Sequence, residues 1–353
     1  RKIPSDHPYA ENIAQIEKDG PAFNLMDPLA IATPFDGRIV RDRLEENDRR
    51  LAKTTLYDSW ELPFTDAKKD EIRAVVNLES LPAALKPRTG IVVRHASVRL
   101  WPVSEHGYLM KGYLDDINVT SVDIGMPVAV LHVSKNGDYL FVMTPVAWGW
   151  LPAVDIAFAS VAKVRAFRDA PKCIVSSAHR IPLYADTGCA VHAGYLYMGE
   201  RLPMTGKTAQ GYRVQVPVRG FSGSLAFGAG FIKAGMGVSE GFLPYTQKNV
   251  IATVFRLLGR PYGWHDSWDE RDCGGIMRVV FNCFGIALPR YWSFEQLSTD
   301  HAVFVGDIKD MAKKAEMLAA MPAGITFTGT TGHIGLYLGS VDGKPYVIEA
   351  DVA

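Results

Sequence analysis

Two residues of this sequence have the types and settings for nucleophilic chemistry, Cys273 and His333. Cys273 stands in Asp272-Cys273-Gly274-Gly275, directly before a run in which Ile276, Val279, Val280, Cys283, Phe284 and Ala287 recur at helical period. That stripe predicts a helix starting on the cysteine and packing one face into a core, with Gly285 near its end and Pro289 beyond it. A thiol at a helix N-terminus meets the positive end of the macrodipole and unpaired backbone N–H groups, conditions expected to lower its pKa and supply a thiolate. A thiolate mechanism also needs a base. His333 opens Gly332–Gly339, GHIGLYLG, which reads as a strand sixty residues further on. A cysteine followed much later by a strand histidine fits nucleophilic sites whose partners meet only in the fold; two structural residues would leave the same spacing.

The wider pattern narrows this. PYGW at residues 261–264, DCGG at a helix start, LPR at 288–290 with a following Gln296, and GHIGLYLG occur in that order. Together they resemble the NlpC-type cysteine peptidases of bacterial cell walls, over roughly residues 245–353. The resemblance implies a papain-like α+β catalytic domain that cleaves peptidoglycan stem peptides between γ-linked D-glutamate and the diamino acid, meso-diaminopimelate. Cys273 would be the nucleophile and His333 the base. Tyr262 would lie beside the oxyanion site and Trp264 would line the substrate groove, while Asp272 would cap the helix and fix substrate amides. The chain departs from the family at three places. Gly274 replaces a serine, Tyr291-Trp292-Ser293 follows LPR, and no histidine follows His333 to hold its imidazole. Glu349 stands at the position of that third member, with Asp351 as the fallback.

Upstream, residues 87–168 hold short period-two runs: Gly90–Leu100, Pro127–Ser134, Tyr139–Thr144 and Trp148–Pro152, with Asn136-Gly137 as a hairpin turn. RLWPVSE, VLHVSKNGDYLFV and WGWLPAVDIA resemble the bacterial SH3-like domain that precedes the catalytic domain in some NlpC-type enzymes. By that resemblance the barrel walls off one end of the groove, which implies a preference for peptides with a free N-terminal L-alanine. Residues 169–243 repeat the theme and predict a second SH3-like barrel. The glycine-rich run Gly220–Gly241 reads as its turns and bulges; it lacks the Lys-Ser/Thr of a phosphate loop. Residues 1–86 are rich in charge and proline, with helices predicted at Pro8–Lys18, Ile39–Ala52 and Asp66–Val76, and read as an arm packed over the later domains. The catalytic domain is expected over 244–353, with further helices at Val250–Leu258, Ser293–Leu297 and Val305–Ala320.

Composition bounds the rest. Apolar residues make up 48% and charged residues 22%, a globular balance. With 38 basic and 38 acidic residues there is no basic excess to suggest nucleic acid, and no run approaches the ~18 apolar residues of a membrane span. Four cysteines are too few for a disulfide framework; Cys173 and Cys189 could pair in an oxidising compartment, with two buried thiols the plainer expectation, and Cys283 is expected as core. His95, His106, His132, His179, His192 and His301 are scattered without metal-ligand spacing, and His265 is expected on an exposed loop. The chain opens at Arg1 with no signal peptide, so either a leader has been removed or the sequence begins late. The expected location is the cell envelope, periplasm or exterior, with a cytoplasmic murein-recycling enzyme as the alternative. The resulting expectation is a cofactor-free and metal-free cysteine endopeptidase with murein peptides as its partners. Two alternatives stand beside it: an amidase or acyltransferase on the same scaffold, and a catalytically impaired protein that binds wall peptides through two SH3-like barrels. Oligomeric state is not readable from the sequence.

Overall fold

The computed structural model describes residues 26–110, 114–290, 303, 305–330 and 332–352. The helices predicted at Pro8–Lys18 and Ser293–Leu297 lie outside them. The arm begins with strand β1 (Phe35–Asp36), then α1 (Gly37–Lys53) and α2 (Asp66–Val76), and ends in β2 (Ala84–Leu85), which pairs with β1. Both helices carry side-chain caps: Asp36 accepts from Arg38 N and Thr65 from Lys68 N. Val40 and Leu44 of α1 pack with Leu131, Phe141 and Trp150 of the sheet that follows.

That sheet contains β3 (Arg88–Val92), β4 (Ala96–Arg99), β5 (Asn118–Val122), β6 (Pro127–Val133), β7 (Tyr139–Met143), β8 (Trp148–Pro152) and β9 (Ile156–Phe158). Its antiparallel order is β5-β4-β8-β7-β6-β3-β9. The run expected as one strand, Gly90–Leu100, is two strands broken at Val93–His95. Strand β5 was not expected, because its sequence, NVTSV, alternates nothing; all five residues are buried. After α3 (Val161–Arg168) a second seven-stranded antiparallel sheet follows: β10 (Cys173–Ser176), β11 (Arg180–Tyr184), β12 (His192–Tyr197), β13 (Arg201–Thr208), β14 (Gly211–Arg219), β15 (Leu225–Lys233) and β16 (Val238–Glu240). In the glycine-rich run, Gly223, Gly235, Gly237 and Gly241 have positive φ and lie in the turns between or beyond strands, as expected, while Gly228 and Gly230 lie within β15. A Cβ on Gly230 would sit 2.7 Å from Val216 Cγ2 and 3.0 Å from Leu183 Cδ1, so this glycine marks close packing rather than a turn.

The C-terminal part is α+β. Helix α4 (Gln247–Val254) and α5 (Cys273–Asn282) pack with α6 (Met311–Ala319) around an antiparallel sheet of β17 (Phe327–Thr330), β18 (His333–Val341) and β19 (Lys344–Ile348). Val250, Val254, Met277, Val280, Phe281, Leu336 and Ile348 form its core. Two expectations change here. Helix α6 begins at Met311, not Val305, because Asp310 Oδ1 accepts from Ala312 N and Lys313 N and stops the helix there. Helix α5 is buried on more than the expected stripe: Gly274–Phe281 are all buried, Arg278 included. The four cysteines are free thiols; Cys283 is buried, whereas Cys173 and Cys189 are only half-buried.

Candidate active site

Cys273 is the first residue of α5, and Asp272 caps that helix by accepting from Gly275 N at 2.8 Å. The other Asp272 oxygen accepts from His265 N at 3.1 Å and from Arg290 Nη2. The carboxylate is thus committed on both oxygens to the scaffold under the nucleophile. The thiol does not follow the expected direction. Burial pushes it above its ordinary value, and the charge of Asp272 adds to this, while the backbone N–H groups of Ile334 and Gly274 and the Arg290 guanidinium oppose. In the free protein the helix terminus is outweighed by desolvation. Alkylation of Cys273 by iodoacetamide, followed by peptide mapping, is therefore expected to keep accelerating above about pH 8 as the thiol ionises. A rate already level from near-neutral pH upward would mean a preformed thiolate and contradict this.

His333 is the first residue of β18, next to the Ile334 N–H that favours the Cys273 thiolate. Its Nε2 lies 2.9 Å from Glu349 Oε2, one residue beyond the end of β19. Antiparallel pairing of Leu336 with Ile348 sets this register and brings Glu349 back beside the histidine. Asp351 is also close: one ligand atom from each of His333, Glu349 and Asp351 falls within 4.8 Å of the others. With Nε2 engaged, Nδ1 is the ring nitrogen left for proton transfer.

The remaining sequence candidates converge on the same helix terminus. Tyr262 forms a backbone bridge with Arg271, and burial, then the charges of Asp272 and Cys273, raise its phenol well above the usual range. Trp264 lies 6.5 Å from the Tyr262 ring and stacks on His265 at 4.4 Å. His265 is half-buried rather than exposed: its Nδ1 is 2.7 Å from Asn118 O. At Gly274 a Cβ would meet Arg290 Nη1 at 3.0 Å and Arg290 O at 3.1 Å, so Arg290 lies where a serine side chain would project.

Sequence reasoning missed what holds this loop. His265, Asp266, Trp268 and Asp269 all have positive φ, a conformation that costs on the order of 1–3 kcal/mol each outside glycine. Buried polar contacts from β5 hold it: Asn118 Nδ2 donates to His265 O at 2.7 Å and Thr120 Oγ1 to Asp266 Oδ2 at 2.8 Å. Arg290 Nε donates to Thr120 Oγ1 at 2.8 Å, and Arg278 Nη1 to Asp123 Oδ2 at 3.0 Å. Against the upward push of burial, Arg290, Arg271 and Arg278 hold the Asp266 carboxyl well below the usual carboxylate range. Gly275 is required by this arrangement, since a Cβ there would fall 1.9 Å from Asp266 Oδ1. The available signal was an arginine inside an apolar helix, Arg278, which must find buried carboxylates.

Comparison with known proteins accounts for both halves of the pattern. Residues 259–350 match the NlpC/P60 family, and residues 113–152 match an SH3 domain of the SH3b1 type. None of the curated proteins matches the chain. Among solved structures, a novel NlpC/P60 endopeptidase from Photobacterium damselae subsp. piscicida is similar over 97% of this chain and 81% of its own, at 20% identity and a TM-score of 0.77. An NlpC/P60 family protein from Bacillus cereus ATCC 10987 is similar over 74% of this chain and 94% of its own, at 17% identity and a TM-score of 0.49. The helix-borne Cys273, the strand-borne His333 and the family match over both belong to one unit: the chain carries a C-terminal cysteine peptidase domain of the NlpC/P60 family, a hydrolase, with an SH3b cell-wall-binding domain N-terminal to it.

Proposed function

We propose that the protein is a cysteine endopeptidase that cuts peptidoglycan stem peptides at the γ-D-glutamyl–meso-diaminopimelate bond. Cys273 is the nucleophile, His333 the base, and Glu349 the residue that orients His333. The observation that carries this reading is the His333–Glu349 hydrogen bond of 2.9 Å, on a strand whose next N–H favours the Cys273 thiolate. His333 takes the thiol proton as Sγ attacks the scissile carbonyl, and the oxyanion forms against the Cys273 N–H and Tyr262. His333 then protonates the leaving amine, and a water molecule, deprotonated by His333, cleaves the thioester to release the carboxylate and the free thiol. No step calls for a cofactor or metal.

The SH3b domain adjoins the cleft through β5, which supports a preference for short murein peptides with a free N-terminal L-alanine over intact cross-linked wall. The role that goes with this preference is murein-peptide turnover, in the cell envelope or in recycling. The test is hydrolysis of L-Ala-γ-D-Glu-diaminopimelate, its N-acetylated form and purified sacculi by the same protein. Faster cleavage of the free tripeptide supports the reading, whereas cleavage of sacculi at the muramyl–L-alanine amide would make it an amidase. The raised thiol favours one rival, a wall-peptide binder without turnover; retained peptide binding with no cleavage of any substrate would establish it.

The third member is open to a direct test. Glu349→Ala is expected to lower kcat roughly 10- to 100-fold, the worth of one hydrogen bond to a charged group. Asp351→Asn is expected to leave it within about threefold. The reverse order would make Asp351 the orienting residue.

A further inference from the structure

We infer that His95 and Asp123, with Glu200 orienting the imidazole, form a binding site for a divalent transition-metal ion where the two sheets and the nucleophile helix meet. His95 lies between β3 and β4, Asp123 follows β5, and Glu200 sits in the turn between β12 and β13. One ligand atom from each falls within 4.8 Å of the others. The site is enclosed: the His95 side chain is 8% exposed and that of Glu200 0%.

The hydrogen bonding leaves two donor atoms unused. Glu200 Oε1 lies 2.9 Å from His95 Nδ1 and also accepts from Ile124 N, while Oε2 accepts from Tyr197 N at 2.8 Å. This fixes the imidazole and assigns its proton to Nδ1, leaving the Nε2 lone pair without a partner among the described residues. Asp123 uses Oδ2 for Arg278, and its buried Oδ1 is equally without a partner. A buried polar atom left unpaired is costly, and two on neighbouring side chains of one cluster favour an occupant. A carboxylate that holds the far nitrogen of a histidine is the usual orienting arrangement at metal sites, and Glu200 provides it. The positive charge within reach is also short: Arg278 faces Asp123 but is shared with Asp266, at 3.8 Å. An imidazole with a carboxylate suits Zn²⁺ or Mn²⁺ rather than a soft monovalent ion. Through Asp123 and Arg278 the ion would tie both sheets to α5, the helix that carries Cys273.

The test uses the full chain as His333→Ala, which removes the exposed His333–Glu349–Asp351 group as a competing site. Its metal content is measured by mass spectrometry after dialysis, and its Tm is followed on adding Zn²⁺ or Mn²⁺. The expected result is about one equivalent of retained metal, or uptake with a Tm rise of a few degrees, both lost on adding His95→Gln or Asp123→Asn. X-ray absorption of the Zn²⁺-loaded parent, which needs no change at the site, should report imidazole and oxygen ligands. No retained metal and no Tm response to either ion would overturn the proposal. So would sulfur ligation, or uptake undiminished in the His95→Gln variant.

Discussion

Cys273→Ala is expected to abolish hydrolysis of the murein tripeptide while leaving the fold and peptide binding in place. Removing the nucleophile of such a site costs on the order of 10⁴- to 10⁶-fold in kcat, because nothing else supplies the covalent step. The site is half-buried, and an alanine at the first turn of α5 keeps the Asp272 cap, so stability should hardly change. His333→Ala should fall in the same range, and the double variant should lose little more, since the two residues act as a unit. Steady-state kinetics on the free tripeptide, with Tm as a control for folding, checks this. Additive losses would mean that the two residues do not share one step.

The second large effect concerns stability. Arg278→Met is expected to destabilise the protein by about 3–5 kcal/mol, the cost of leaving a buried charge without its partner. Arg278 is 1% exposed and faces Asp123 at 3.0 Å and Asp266 at 3.8 Å. Methionine keeps much of the side-chain volume but strands Asp123, whereas Asp266 keeps Arg290, Arg271 and Thr120. Urea unfolding should show the loss as a shift in midpoint. Adding Asp123→Asn should cost less than the sum of the two single changes, since it removes the stranded charge. A loss under about 1 kcal/mol would mean that the buried pairs contribute no more than surface ones. Activity should fall with stability, because Asp266 supports the loop that presents Trp264 and His265 beside Cys273.

The parts of the site legible in the sequence are those set by local chemistry. Asp272 before Cys273 and an apolar repeat after it fix a capped helix, and that helix starts on Cys273. His333 opens its strand because β-favouring residues follow it, and the Asp342-Gly343 hairpin turns β19 back so that Glu349 returns to His333. What escaped reading depends on distant partners. Strand β5 is polar yet buried, because its Asn118, Thr120 and Ser121 bind the strained loop across the domain boundary. His95 and Glu200, 105 positions apart, show no ligand spacing and meet only in the fold. The thiol pKa failed for a related reason. A helix terminus is visible in sequence, but the desolvation that outweighs it arises from tertiary packing.

The proposed activity depends on attack by Cys273 on the γ-D-glutamyl carbonyl of a murein peptide. Mass spectrometry of L-Ala-γ-D-Glu-diaminopimelate incubated with wild type and with Cys273→Ala tests this step. Release of L-Ala-D-Glu and free diaminopimelate by wild type alone is the predicted result. Equal release by both proteins, or an intact tripeptide with both, would contradict it.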